Sequence, residues 1–274
     1  MIGVKSLCTA LCFTLGLLPV IAPMASEWAS VAAPTHEAPR AIGQTNNGCL
    51  AGAAPLPLEG RGYMVMHLER HRHYGHPSLV RAIQTVGEQA AQRTLGVLQI
   101  GDLGQPRGGP MPFGHRSHQT GLDADIWFNL DPSVYGRADA QRANISAPSL
   151  LTPSKQSLDH LLWSERHITL MELAARIPEV DRIFVNPYIK QELCRKSKGS
   201  WLRKIRPWYG HDDHFHMRLV CPSNSPDCQP QEAIPSGDGC DASLNWWFEP
   251  HPPGPPPPPK PPLPAECLAV LGKP

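Results

Sequence analysis

The stretch His214-Phe215-His216-Met217-Arg218-Leu219 constrains this 274-residue chain more than any other part of it. Polar and apolar residues alternate with the period of a β-strand. His214, His216 and Arg218 therefore leave one face, while Phe215, Met217 and Leu219 leave the other. The apolar face requires a core to pack against. The polar face carries two imidazoles about 6.6 Å apart at the backbone, close enough to serve one site. Asp123 and Asp125 repeat the device in a second predicted strand, from Leu122 to Phe128, with Ala124 and Ile126 facing the opposite way. Two histidine-bearing segments lead into these strands: Gly114-His115-Arg116-Ser117-His118 before the Asp123 strand, and His211-Asp212-Asp213 before the His214 strand.

Imidazole plus carboxylate is the ligand chemistry of a hydrolytic zinc site, in which three protein ligands leave a fourth position open for water. A lone histidine or an isolated H-x-H is weak evidence for such a site. The combination G-H-x-x-H-x-x-G-x-D-x-D, followed far downstream by H-x-x-H-x-H, is much stronger and predicts a metal-dependent hydrolase. Rival signatures are missing from the sequence: it has no H-E-x-x-H, no S-x-x-K and no G-x-S-x-G. A second histidine cluster, His67, His71, His73 and His76, includes an i, i+4 pair. Arg70 and Arg72 are interleaved there and would repel a cation, so the cluster reads as a surface segment.

The first residues, one lysine followed by the short apolar run from Leu7 to Leu18, read as a secretory leader over residues 1–25. Removing it takes away Cys8 and Cys12 and leaves six cysteines, an even number that in an exported chain predicts three disulfides. Six cysteines allow fifteen pairings. Proximity favours only Cys221 with Cys228, across a turn-rich segment. No C-x-x-C is present, so a thiolate metal knot is not expected. A formal net charge of +1 gives no case for a nucleic-acid partner, and nothing after the leader resembles a membrane segment.

Residues 26–60, rich in Ala, Pro and Gly, read as an irregular arm. Helices are predicted from Pro77, with Leu79, Ile83, Val86 and Ala90 on one face, and from His167 to Ile177. Strands are predicted at 95–100, 122–128, 182–186 and 214–220, with a glycine-rich loop from Gly101 to Gly114. The mixture lacks a βαβ rhythm and predicts an α+β fold: one compact domain (61–249) on a central antiparallel sheet, with the zinc site at the sheet edge. The prolines of residues 250–274 read as an extended strap that leads to Cys267. Trp246, Trp247 and Phe248 read as core and edge packing, with the lining of a substrate groove as the alternative.

Two segments carry a family resemblance: His115-Arg-Ser-His118-Gln-Thr-Gly-Leu-Asp-Ala-Asp125 and Arg206-Pro-Trp-Tyr-Gly-His211-Asp-Asp-His214-Phe-His216-Met-Arg-Leu. They strongly resemble the penicillin-insensitive murein endopeptidases of Gram-negative bacteria, zinc peptidases grouped with D-alanyl-D-alanine carboxypeptidases and hedgehog zinc domains. Arg182-Ile-Phe-Val-Asn-Pro187, Pro235-Ser-Gly-Asp-Gly-Cys240 and the Trp247-Phe-Glu-Pro250 tail extend the resemblance over nearly the whole mature chain. The resemblance implies zinc held by His118, Asp125 and His216, with His115 a further ligand in some states and His214 and His211 handling protons. It implies the bridges Cys49–Cys267, Cys194–Cys240 and Cys221–Cys228, a periplasmic location, and cleavage of D-alanyl-meso-diaminopimelyl cross-links. Some relatives hold a second metal through an Asp-x-x-His between the two motifs. No such pair occurs between Asp131 and Trp163, so one functional metal is expected. Two other readings keep the site: a carboxypeptidase that trims terminal D-alanine, and a non-catalytic zinc-containing module that docks on peptidoglycan.

Overall fold

The computed structural model describes residues 25–252, 254, 256 and 259–273. The leader expected at residues 1–25 lies outside the described residues except for Ala25. In chain order come α1 (Ala25–Ala29), β1 (Arg40–Gln44), β2 (Asn47–Ala51), β3 (Ala54–Pro55), β4 (Glu59–Gly60), β5 (Tyr63–Val65) and β6 (Tyr74–Gly75). They are followed by α2 (Pro77–Gln92), β7 (Leu98–Ile100), β8 (Asp123–Trp127), α3 (Asp139–Arg142), α4 (Glu165–Arg176) and β9 (Val180–Val185). The last elements are α5 (Pro187–Lys196), β10 (Ile205–Pro207), β11 (His214–Leu219) and α6 (Ala265–Gly272).

One seven-stranded sheet, ordered β10-β9-β11-β8-β7-β5-β4, organises a single α+β domain. Its middle strands β9, β11, β8 and β7 pair antiparallel, as the alternating sequences predict. The pairs β9–β10 and β5–β7 are parallel, so the sheet is mixed rather than antiparallel throughout. The reason is connectivity: α5 carries the chain from β9 to β10 and α2 from β5 to β7, and a parallel pair needs such a crossover.

Both crossover helices begin on the same local signal. Pro77 opens α2 behind the His76 cap, whose ring accepts from the Ser78 amide. Pro187 opens α5 behind Asn186, whose side-chain oxygen accepts from the Tyr188 amide. Leu79, Ile83, Val86 and Ala90 of α2 are fully buried, and with α4 they cover one face of the sheet. Phe215, Met217, Ala124 and Ile126 project into that core with no exposure. The other sheet face carries Asp123, Asp125, His216 and Arg218, which loops cover almost as completely.

The N-terminal arm is not irregular throughout. β1 and β2 form a hairpin, and Trp28, Ile42, Cys49 and Ala51 build a second small core with Cys267 and Val270 of α6. The bridge Cys49–Cys267 joins the two, and Cys194–Cys240 and Cys221–Cys228 complete the set. Composition hid the hairpin because Ala and Gly weaken strand propensity, and here burial against α6 outweighs it.

Candidate active site

Register brings the site together. On β8 and β11, His216 stands opposite Asp125 and Arg218 opposite Asp123, so four polar side chains share one patch of the sheet face. The cluster lies over the two central strands, which corrects the expected position at the sheet edge. His115 and His118 reach it from the loop that precedes β8. His118 is completely buried, and its backbone sits in the left-handed region at φ 68°. That conformation costs on the order of 1–3 kcal/mol for a residue with a side chain. Asp123 offsets it by accepting the His118 amide at 3.2 Å.

Asp125 is the point of convergence. Four imidazole nitrogens approach its carboxylate: His216 Nδ1 at 3.1 Å, His115 Nδ1 at 3.3 Å, His118 Nε2 at 3.4 Å and His214 Nε2 at 3.5 Å. Burial would raise its pKa, but His214, His118 and His216 hold it well below the usual carboxylate range. One ligand atom each from His115, His118 and Asp125 falls within 4.8 Å of the other two.

The far side of each ring is also tied down. His115 Nε2 meets Asp102 at 2.9 Å, His118 Nδ1 donates to the Leu103 carbonyl at 2.8 Å, and His216 Nε2 meets Asp123 at 2.7 Å. Carboxylates and carbonyls behind imidazoles fix the ring orientation and aim the other nitrogen at a shared point, as in metal sites. The aimed atoms carry the test of fit. His118 Nε2 and Asp125 Oδ1 are buried without a hydrogen-bond partner among the described residues. Buried polar atoms are normally satisfied, and a cation seated between them would satisfy both. The donor set of imidazole and carboxylate suits zinc.

His214 and His211 stand beside this cluster with different characters. His214 Nδ1 is 2.5 Å from Asp213. Burial lowers its proton affinity, but Asp125 and Asp213 outweigh burial and push its pKa up to about 9. His211, left-handed at φ 51°, donates from Nδ1 to the Tyr209 carbonyl, which leaves Nε2 as the acceptor. Its pKa is pushed down to about 4, by burial first and then by His216 and His214. The two rings lie 5.1 Å apart.

Two further carboxylates support the rings, of which only Asp102 escaped the sequence reading. Asp102 lies under His115 and takes ion pairs from Arg72 at 2.8 Å and Arg70 at 3.3 Å. Burial would raise its pKa, yet the His115 hydrogen bond and the neighbouring charges draw it down to about 2. The segment expected at the surface is therefore corrected: His67, Arg72 and His76 are buried, and Arg70 and Arg72 neutralise the acid behind His115 instead of repelling a cation. Asp123, the second support, is also held down by Arg218 and His216 against its burial. A glycine-loop aspartate thirteen residues before its histidine leaves no spacing signal. The aromatics at 246–248 are not core either; Leu244 is the only buried residue of that turn.

A sequence profile described as penicillin-insensitive murein endopeptidase matches residues 41–272. A protein of that name from Salmonella paratyphi C is 44% identical over 252 residues, which cover 90% of this chain and 91% of the relative. Another, from Haemophilus influenzae, is 42% identical over 240 residues, 85% of this chain and 82% of the relative.

Proposed function

From the premise that the chain belongs to the penicillin-insensitive murein endopeptidase family and hydrolyses murein peptides, we propose that it is a zinc enzyme of the periplasm. Its bond is the D-alanyl-meso-diaminopimelyl cross-link between two glycan strands. The residues that would hold zinc are His118, Asp125 and His216, with His115 a fourth where the ion demands it. The reading rests above all on the orphaned pair His118 Nε2 and Asp125 Oδ1, buried and aimed at one point. When bound, zinc polarises a carbonyl and lowers the pKa of water to near ~7.

The chain's own residues supply the rest. A cation held by Asp125 would neutralise one of the carboxylates that raise His214 and would draw its pKa down toward the range in which an imidazole exchanges protons at working pH. Asp213 holds its Nδ1, so Nε2 is the atom that faces the reaction and takes or returns the proton. His211, kept neutral by burial, offers an acceptor at Nε2 and orients the amide or the attacking water. No serine nucleophile takes part, so a β-lactam finds nothing to acylate. Export fits three disulfides, and no helix among the described residues is long and apolar enough to cross a membrane.

Mass spectrometry of cross-linked muropeptide dimers, with and without chelator, tests the reading. Dimers become intact tetrapeptide monomers, chelator stops the reaction and penicillin does not. Loss of one terminal alanine would instead mark a carboxypeptidase. Cleavage that survives complete removal of metal would overturn the zinc mechanism.

A further inference from the structure

Beside His211 the chain carries a wall of aromatic rings that hydrolysis does not require. Trp208 and Tyr209 are 55% and 53% exposed on the turn after β10. Trp247 packs against both, 6.1 Å from Trp208 and 4.9 Å from Tyr209 between ring centroids. The Tyr209 hydroxyl donates to the Trp247 carbonyl at 3.1 Å, and Tyr188 braces Phe248 at 5.0 Å. The rings are thus held in place, Trp208 and Tyr209 about half-exposed and Trp247 and Phe248 partly so. Tyr209, Trp247 and Phe248 line a groove of about 570 Å³, whose polar lining includes Lys155, Asp212 and Glu249.

A contiguous patch of partly exposed aromatic rings marks a binding surface, and the lining chemistry selects its occupant. Lys155 is committed to Asp212 at 2.6 Å and Ser149 at 2.7 Å. Glu249 adds negative charge, so the groove favours a neutral ligand over the acidic carboxylates of a stem peptide. Rigid apolar faces beside polar groups suit a flat ring with an apolar face and a hydroxyl rim, which is a pyranose. Placement agrees. Ring-to-ring steps of 6.2, 5.7 and 6.1 Å lead from His211 through Phe184 and Trp208 to Trp247. An extended tetrapeptide stem reaches roughly 13 Å, which lies within the upper bound that these three steps set on the distance from His211 to Trp247.

We propose that the groove walled by Tyr209, Trp247 and Phe248 is a glycan subsite, which holds a sugar ring of the murein strand while its stem peptide lies over Asp125. This deepens the murein endopeptidase reading and rests on it.

The test compares two substrates: cross-linked dimers that keep their disaccharides, and the same dimers stripped of sugar by an amidase. Trp247→Ala is expected to raise KM for sugar-bearing dimers roughly tenfold, the loss of one good aromatic contact, and to change KM for stripped dimers far less. Trp247→Phe restores most of the difference, and kcat stays near wild type on both. Titration calorimetry with peptide-free glycan strands adds a readout independent of turnover: the wild type binds and Trp247→Ala does not. Equal effects on both substrates, or none on either, would overturn the subsite. A wild-type protein that cuts neither dimer refutes the endopeptidase reading instead.

Discussion

The two halves of the candidate site are held by different means. Asp125 and His216 lie on paired strands in register, and their neighbours Ala124, Ile126, Phe215 and Met217 anchor them in the core. Backbone ladder and hydrophobic burial position their backbones, and Asp123 of the same strand pair orients the His216 ring. His115 and His118 lie in a loop without regular structure, and contacts distant in sequence hold that loop in place. Gln119 binds the Gly48 amide and the Asn46 carbonyl of the β1–β2 hairpin. Gly109, left-handed at φ 74°, lets the loop run against Trp28, where any side chain would collide with the indole. Buried Arg107 donates to the carbonyls of Ala33, Val270, Leu271 and Lys273, which satisfies the end of α6. The strand half is therefore self-supporting, whereas the loop half depends on both chain termini. Asp123 joins the halves by bonding the His118 amide, the His216 ring and Arg218 at once.

The largest expected effect lies in the strand half. Asp125→Asn removes the charge on which four imidazoles converge, and nothing else in the cluster replaces it. Zinc per chain, read by elemental analysis, should fall to near none. Dimer cleavage should drop at least about a thousandfold, the weight of losing the several kcal/mol that a metal supplies. If Asp125→Asn kept its zinc while His118→Ala lost it, the loop half would be the dominant one and the comparison would reverse.

A smaller effect is expected one layer behind the loop half. Asp102→Asn keeps the shape beneath His115 but leaves buried Arg72 without its counter-charge and weakens the hold on the ring. Outer-layer changes of this kind cost roughly 10–100-fold in metal affinity, measurable by competition with a chromophoric chelator. Unchanged affinity would remove His115 from the site and leave the ion to His118, Asp125 and His216.

The same division explains what the sequence revealed. Alternation is a local signal, so β8, β11 and their shared polar face could be read from residues two apart, as could the apolar stripe of α2 behind Pro77. Asn186-Pro187 carried the start signal of α5, yet the short helix lacks a long stripe and escaped notice. The parallel pairs at the flanks of the sheet follow from crossovers that no local period encodes. The contacts Asp102–Arg72, Gln119–Gly48 and Arg107–Val270 join residues 30, 71 and 163 positions apart. Nothing in either partner's neighbourhood announces them, and the loop's irregular backbone gives no register from which to infer them. The family motifs marked His115 and His118 as site residues without showing what holds them.

The smallest effect on the site itself isolates the role of the termini. Cys49–Cys267 ties the hairpin to α6, and through Arg107 and Gln119 both reach the loop half. Cys194–Cys240 ties α5 to a turn that makes no hydrogen bond to the loop among the described residues. Removing either bridge by paired Cys→Ser substitution should destabilise the fold by about 2–5 kcal/mol and lower Tm. Only the Cys49→Ser/Cys267→Ser protein should also bind zinc a few-fold more weakly at temperatures where both proteins remain folded. The matched variant separates the two consequences, because it loses a bridge without loosening the loop. Equal zinc affinity in both variants would mean that the loop half supports itself, and that the C-terminal helix contributes to stability alone.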